Sequence, residues 1–287
     1  MALSTIDRKS RRSSHHLLFA AALLLSPLCT PAWSATPFQA ARPAVRVEYW
    51  QKRLVEITDQ LKDSRSLASV RLVFLGDSIT DFWGLAGNPW VTGATGGRSV
   101  WNESFAGSPR QNLGLNLGIS GDRTEHVLYR LLPQSAGGLG ELDAAGLNPE
   151  FVVLLVGINN TWDPETPVVA SVSDGIRAVI SAVHDRQPKA MVILESLLPT
   201  NDALKNRETV LPVNQRLREL TASSPFADYV VYLDLYSKFV DSSGGQMSGY
   251  FMDGLHPNES GYRVWRDALL PCIDNARRAS AAAKQKG

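Results

Sequence analysis

A three-layer α/β fold, with one central, mainly parallel sheet of five strands covered by helices on both faces, is what the order of elements in this sequence predicts. Short, predominantly apolar runs, as at 70–75 and 151–156, end abruptly at Gly76 and Gly157, which is how strands buried on both faces read. Between such runs lie segments with apolar residues three and four apart. Strand and helix therefore alternate, and right-handed crossovers between successive strands make the sheet parallel. The pattern also continues without an internal linker from residue 47 to residue 287, a length suited to one domain.

In chain order, residues 1–34 precede the fold. Arg8, Lys9, Arg11 and Arg12 stand before an apolar run from Leu17 to Leu25, followed by Pro27, Pro31 and small residues around Trp33. This is the layout of a secretory signal peptide. Cleavage after Ser34 puts Ala32 and Ser34 at the two positions that need small side chains. Residues 35–46, rich in Pro and Ala and without periodicity, read as an exposed, flexible lead-in. Residues 47–65 place Trp50, Leu54, Ile57 and Leu61 at helical spacing. Strands are expected at 70–75, 115–117, 151–156, 190–194 and 229–233, and helices at 124–132, 168–186, 206–223 and 259–283. Pro188 and Pro225 close two of these helices. Two stretches, 84–110 and 197–204, fit neither pattern, and long loops of this kind often carry function.

Composition narrows the function. Hydrophobic residues make up 44% of the 287 and charged ones 20%, the balance of an ordinary globular protein. The net charge is +1, and loss of residues 1–34 leaves 25 basic against 27 acidic residues. Nucleic-acid binding, which needs a basic footprint, is excluded as an expectation. The apolar run at 17–25 is shorter than the ~20 residues a membrane span takes. Cys29 goes with the signal, so Cys272 stands alone and forms no internal disulfide. No His pair or carboxylate cluster has metal-ligand spacing, and Gly93–Ser99 lacks the Lys and the preceding strand of a phosphate loop, so neither metal nor cofactor is expected.

The chemistry is sought just past the carboxyl ends of the strands, where open parallel sheets place their sites. Ser78 lies on the turn after the first strand, in Gly76-Asp77-Ser78. A serine there becomes a nucleophile only with a base. Asp253-Gly254-Leu255-His256 supplies one: a carboxylate three residues before an imidazole reaches it within one loop and fixes its tautomer. Of the other histidines, His126 reads as a packed or capping residue and His184 as a half-exposed surface one. Two further strand-end loops offer donors for an oxyanion, namely the turn around Gly121 and the Asn159 side-chain amide. Trp83, Trp90, Trp101 and Trp162 are assigned to packing ahead of sugar stacking, because large aromatics dominate burial.

Together these four blocks resemble the GDSL family of the SGNH hydrolases over nearly all of the chain past residue 70. The segments 116–126, 156–160 and 197–199 look closest to the branch that holds the catalytic subunits of intracellular platelet-activating-factor acetylhydrolase and their bacterial relatives. The resemblance implies the SGNH, flavodoxin-like version of the fold. It also implies Ser78 as nucleophile, Asp253 and His256 as its partners, and an oxyanion hole of the Ser78 and Gly121 backbone N–H groups with the Asn159 amide. Asn160 stands where the wider family has Asp, which suits this branch. Ile79, Ile158 and Leu255, the neighbours of these residues, are assigned to line the substrate. The expected function is a secreted or periplasmic serine esterase cleaving short-chain, acetyl esters of a small molecule or polysaccharide through an acyl-enzyme. Because of the signal, the phospholipid substrate of the animal enzymes is not carried over. Two rivals stay open: an O-acyltransferase acting on a carbohydrate, and a non-catalytic carbohydrate-binding module.

Overall fold

The computed structural model describes residues 1, 37–46, 51–89, 91–162 and 164–284. The signal peptide, Trp50 with the start of its helix, and Trp90 lie outside the described residues. Five strands, β1 (Leu72–Gly76), β2 (Gly114–Asn116), β3 (Phe151–Leu155), β4 (Met191–Glu195) and β5 (Val230–Leu233), form one sheet in the order β2-β1-β3-β4-β5. Every pairing is parallel, with Val73 opposite both Leu115 and Val152, and Leu194 opposite both Leu154 and Tyr232. All residues of β1 and β3 are buried, as two helical layers require.

The helices are α1 (Gln51–Gln60), α2 (Ser64–Leu67), α3 (Ser78–Asp81), α4 (Arg98–Ser104), α5 (Thr124–Leu131), α6 (Val168–Arg186), α7 (Ala203–Lys205), α8 (Leu211–Thr221) and α9 (Glu259–Lys284). The helix expected to reach residue 65 stops at Gln60, because Asp63 accepts from the Arg65 and Ser66 backbone N–H groups and caps α2 as a new helix. The helix expected at 206–223 starts at α7 and passes through one wide turn, Asn206–Val210, before α8.

Two expectations are corrected. Residues 37–46 are docked and not a free lead-in: Pro37, Gln39, Arg42, Pro43 and Val45 are exposed as expected, but Gln39–Ala41 make a short 3₁₀ turn and Ala40 is 2% exposed beneath α5 and α6. The 84–110 stretch is partly core. It holds α4, and its Trp101 and Phe105 join Phe74, Trp83 and Trp265 in an aromatic cluster, with Trp83 5.1 Å from Trp265 and Phe74 5.0 Å from Trp101, centroid to centroid.

Candidate active site

The turn that leaves β1 is built so that Ser78 opens α3. Gly76 has no room for a side chain, since a Cβ there would collide with the Leu155 carbonyl oxygen and Thr80 Oγ1. Asp77 then caps α3 by accepting from the Ile79 N–H (3.0 Å). Tyr262 Oη, from α9, donates to the Ile79 carbonyl (2.7 Å) and ties the far side of this turn to the aromatic cluster.

Ser78 is 7% exposed, and its Oγ lies 2.8 Å from His256 Nε2. His256 Nδ1 lies 2.6 Å from Asp253 Oδ2. The Asp253 carboxylate also accepts through Oδ1 from the backbone N–H groups of Leu255 (3.0 Å) and His256 (2.8 Å), so one side chain shapes the loop and orients the ring. Partial burial pushes the Asp253 carboxyl up, but these N–H groups and the imidazole together hold it below the usual carboxylate range. It is therefore ionised at neutral pH and favours the tautomer that carries its proton on Nδ1, leaving the Nε2 lone pair toward Ser78. Phe82 packs on the imidazole at 4.8 Å. Gly254, at φ +82°, meets Asn201, so the loop is seated against residues that follow β4.

The two loops expected to carry oxyanion donors are fastened to each other. Asn159 Nδ2 donates to the Asp122 carbonyl (2.8 Å), one residue past Gly121. The Gly121 loop packs on the Ser78 turn, with the Ile119 N–H donating to the Gly76 carbonyl (3.2 Å) and Ser120 donating through N and Oγ to Asp81. Below it lies a buried ionic network that the sequence reading missed. Arg130 Nη1 donates to Asp122 Oδ2 (2.8 Å), its Nε and Nη2 donate to Glu141, and Nη2 donates also to the Leu117 carbonyl. Burial pushes the Asp122 carboxyl up against the pull of Arg130. Asn160 serves as a fastener: its Oδ1 accepts from the Thr124 N–H (3.0 Å), and its Nδ2 donates to Glu125 Oε2 (2.7 Å).

Other assignments sort as follows. Ile79 and Ile158, expected to line the substrate, are 1% and 2% exposed and belong to the hydrophobic core. Leu255 is half-buried at the loop. His126 Nδ1 accepts from the Arg123 N–H (3.1 Å) and closes the first turn of α5, while His184 stacks on Tyr229 at 3.8 Å. Trp162 departs from the packing expectation: it is 53% exposed, and the Lys205 ammonium lies 3.2 Å over its ring. A cleft of about 730 Å³ opens between α1 and the Asp81, Phe82 and Ser120 region, but neither Ser78 nor His256 lines it. Among the described residues, no three His, Cys, Asp or Glu side chains cluster as a metal site, and no helix is long and apolar enough to cross a membrane.

The model of the GDSL-like Lipase/Acylhydrolase family matches residues 74–264. Platelet-activating factor acetylhydrolase IB subunit alpha1 of Homo sapiens is 33% identical over 192 residues, 67% of this chain and 70% of its own. Among solved structures, a GDSL-like lipase from Bacteroides thetaiotaomicron VPI-5482 aligns with a TM-score of 0.55 at 19% identity, over 79% of this chain and 98% of that one. An acetyl xylan esterase aligns with a TM-score of 0.50 at 18% identity, over 71% and 100%. At these identities the two structures speak to the fold.

Proposed function

Because the chain belongs to the GDSL-like lipase/acylhydrolase family, and is thereby a carboxylic ester hydrolase, we propose that it is a secreted or periplasmic serine esterase that removes short acyl groups, acetyl foremost, through an acyl-enzyme on Ser78. The observation that carries this reading is the unbroken chain from Ser78 Oγ to His256 Nε2 (2.8 Å) and from His256 Nδ1 to Asp253 Oδ2 (2.6 Å). In the first half-reaction Ser78 Oγ attacks the ester carbonyl while His256 Nε2 takes its proton. Asp253 stabilises the imidazolium, which then protonates the departing alcohol. Water, deprotonated by the same imidazole, attacks the acyl-enzyme, releases the acid and returns the proton to Ser78. The reading assigns the Ser78 and Gly121 N–H groups, and the Asn159 amide proton left over from its bond to the Asp122 carbonyl, to the charge that develops on the carbonyl oxygen, where such donors contribute most in the transition state.

Acetyl as the acyl group is supported by the human relative, an acetylhydrolase. A sugar as the acceptor side is supported by Trp162, a half-exposed indole that follows the Asn159 loop directly. Export rests on the basic, apolar and small-residue layout of residues 1–34. The test is a hydrolysis panel on the purified protein, with para-nitrophenyl esters from acetyl to dodecanoyl beside acetylated xylan, run in parallel on Ser78→Ala. A serine-directed phosphonate should label the protein once, at Ser78. Preference for long chains would refute the acetyl assignment, and full activity in Ser78→Ala would refute the nucleophile.

A further inference from the structure

Residues 37–46 precede the stretch that the family model matches, yet they run directly onto the oxyanion loop. The segment is held at several points. The Glu165 carboxylate accepts from the backbone N–H groups of Gln39 (2.7 Å) and Ala40 (3.0 Å). Thr124 Oγ1 donates to the Ala40 carbonyl (2.7 Å), and the Ala44 N–H donates to the Glu125 carbonyl (2.9 Å). Gly175 of α6 leaves the space that Ala40 fills, since a Cβ there would stand 2.7 Å from the Ala40 carbonyl oxygen. From this strap the Arg46 side chain, 17% exposed, reaches the Gly121 turn. Its Nη1 donates to the Ser120 carbonyl (2.7 Å) and pairs with Asp122 Oδ1 (3.2 Å). Its guanidinium lies against Gly121 so closely that a Cβ at that position would collide with Nη2 and stand 3.0 Å from Cζ.

We infer that Arg46 is a positioning residue for the oxyanion hole, acting through the Ser120–Gly121 peptide. The inference rests on the esterase reading above. The Ser120 carbonyl and the Gly121 N–H belong to one planar trans peptide and point in opposite directions, so holding the carbonyl on Arg46 aims the N–H away from it. A cationic donor on the carbonyl also polarises the peptide and strengthens the N–H as a donor. Such a clamp matters at Gly121 because glycine, here at φ +82°, restricts its own backbone less than any residue with a side chain. Glycine there serves two ends: it adopts the positive φ, and it leaves the guanidinium its place.

The test is steady-state hydrolysis of para-nitrophenyl acetate by the full chain and by Arg46→Ala, Arg46→Lys and Ser78→Ala, with thermal unfolding of each. Arg46→Ala is expected to lower kcat about tenfold or more, a part of what loss of a whole oxyanion donor costs, with KM within about twofold. Methylguanidinium at tens of millimolar is expected to restore kcat several-fold in Arg46→Ala and to leave the unsubstituted protein unchanged. Arg46→Lys, which keeps a cationic donor but not the fork, is expected to fall between the two. A kcat for Arg46→Ala within twofold of the parent, or a loss that methylguanidinium does not relieve and that follows a lowered unfolding temperature, overturns the inference. Activity that survives Ser78→Ala overturns the esterase reading and this inference with it. Activity lost in Ser78→Ala but untouched in Arg46→Ala overturns the inference alone.

Discussion

Replacing Asp77 by Asn should stabilise the protein, and more so as the pH rises. Asp77 is fully buried beside Ser78; Oδ1 accepts the Ile79 N–H, and Oδ2 has no hydrogen-bond partner among the described residues. Burial pushes its carboxyl up to about 7, Asp122 and Asp81 push the same way, and the Ile79 N–H pulls back. The folded chain therefore keeps this proton over a range where the unfolded chain, with an ordinary value of 3.8, has already lost it. A raised carboxyl stabilises the fold less and less as pH climbs from about 4 to about 7, after which the loss is complete. Three units at 1.36 kcal/mol each give a full penalty of about 4 kcal/mol. Asn keeps the acceptor for Ile79 N–H and cannot ionise, so the variant escapes the penalty. Urea unfolding of both proteins at pH 5, 6, 7 and 8 isolates the effect, because titrating groups that do not interact with Asp77 cancel in the difference. Stability of the variant minus that of the parent should grow by roughly 2–3 kcal/mol between pH 5 and pH 8. A difference that stays flat, or shrinks with pH, refutes the assignment of a neutral Asp77 at acid pH.

Further outcomes bear on the site itself. His256→Ala should lower kcat for para-nitrophenyl acetate by several orders of magnitude, because it removes the acceptor of the Ser78 proton, and activity near that of the parent would exclude the imidazole base. Asp253→Asn should lower kcat by about 10³–10⁴-fold, because the amide offers its NH₂ where Nδ1–H needs an acceptor. Asn159→Ala should lower kcat by about 10²–10³-fold with little change in KM, whereas Asn160→Ala should instead reduce stability by about 1–3 kcal/mol, since it strands the Thr124 N–H and the Glu125 carboxylate; steady-state kinetics and urea unfolding on both variants separate the two roles. Trp162→Ala should raise KM for acetylated xylo-oligosaccharides by about fivefold or more and leave para-nitrophenyl acetate unaffected, in keeping with the ~1–3 kcal/mol that stacking contributes; equal effects on both substrates would remove Trp162 from the acceptor site.

The strands were legible because burial on both faces leaves no alternative to continuous apolar runs, and each observed strand lies within about two residues of its expected place. Element ends were harder. Leu61 continues the helical spacing of α1, but the Asp63 carboxylate accepts from the Arg65 and Ser66 N–H groups and starts a new helix instead, a competition that periodicity does not register. The strap at 37–46 was hidden for a related reason. It docks through backbone groups taken up by Glu165, Thr124 and Glu125, so no apolar pattern in its own sequence marks it.

In the site, legibility follows sequence distance. Asp253 and His256 meet within one loop, and Ser78 and Asn159 sit at strand ends, so local spacing and the position of the sheet edge bring them out. The residues that hold the oxyanion loop come from elsewhere: Arg130 from within an otherwise ordinary amphipathic helix, Glu141 eleven residues on, and Arg46 from 74 residues before Ser120. Asp122 joins them, with one carboxylate oxygen on the fully buried Arg130 and the other on Arg46. The loop is thus held by the core on one side and by the strap on the other, and the two clamps differ in kind. Removing Arg130 leaves the buried Glu141 carboxylate without its ion pair and Asp122 with Arg46 alone, so its loss is a stability event. Arg46 lies at the rim, and its loss leaves the Asp122–Arg130–Glu141 contacts in place while freeing the Ser120–Gly121 peptide and one Asp122 oxygen. Loss of the Arg46 side chain alone would therefore leave Ser78, Asp253 and His256 in place and still remove the group that aims the Gly121 N–H.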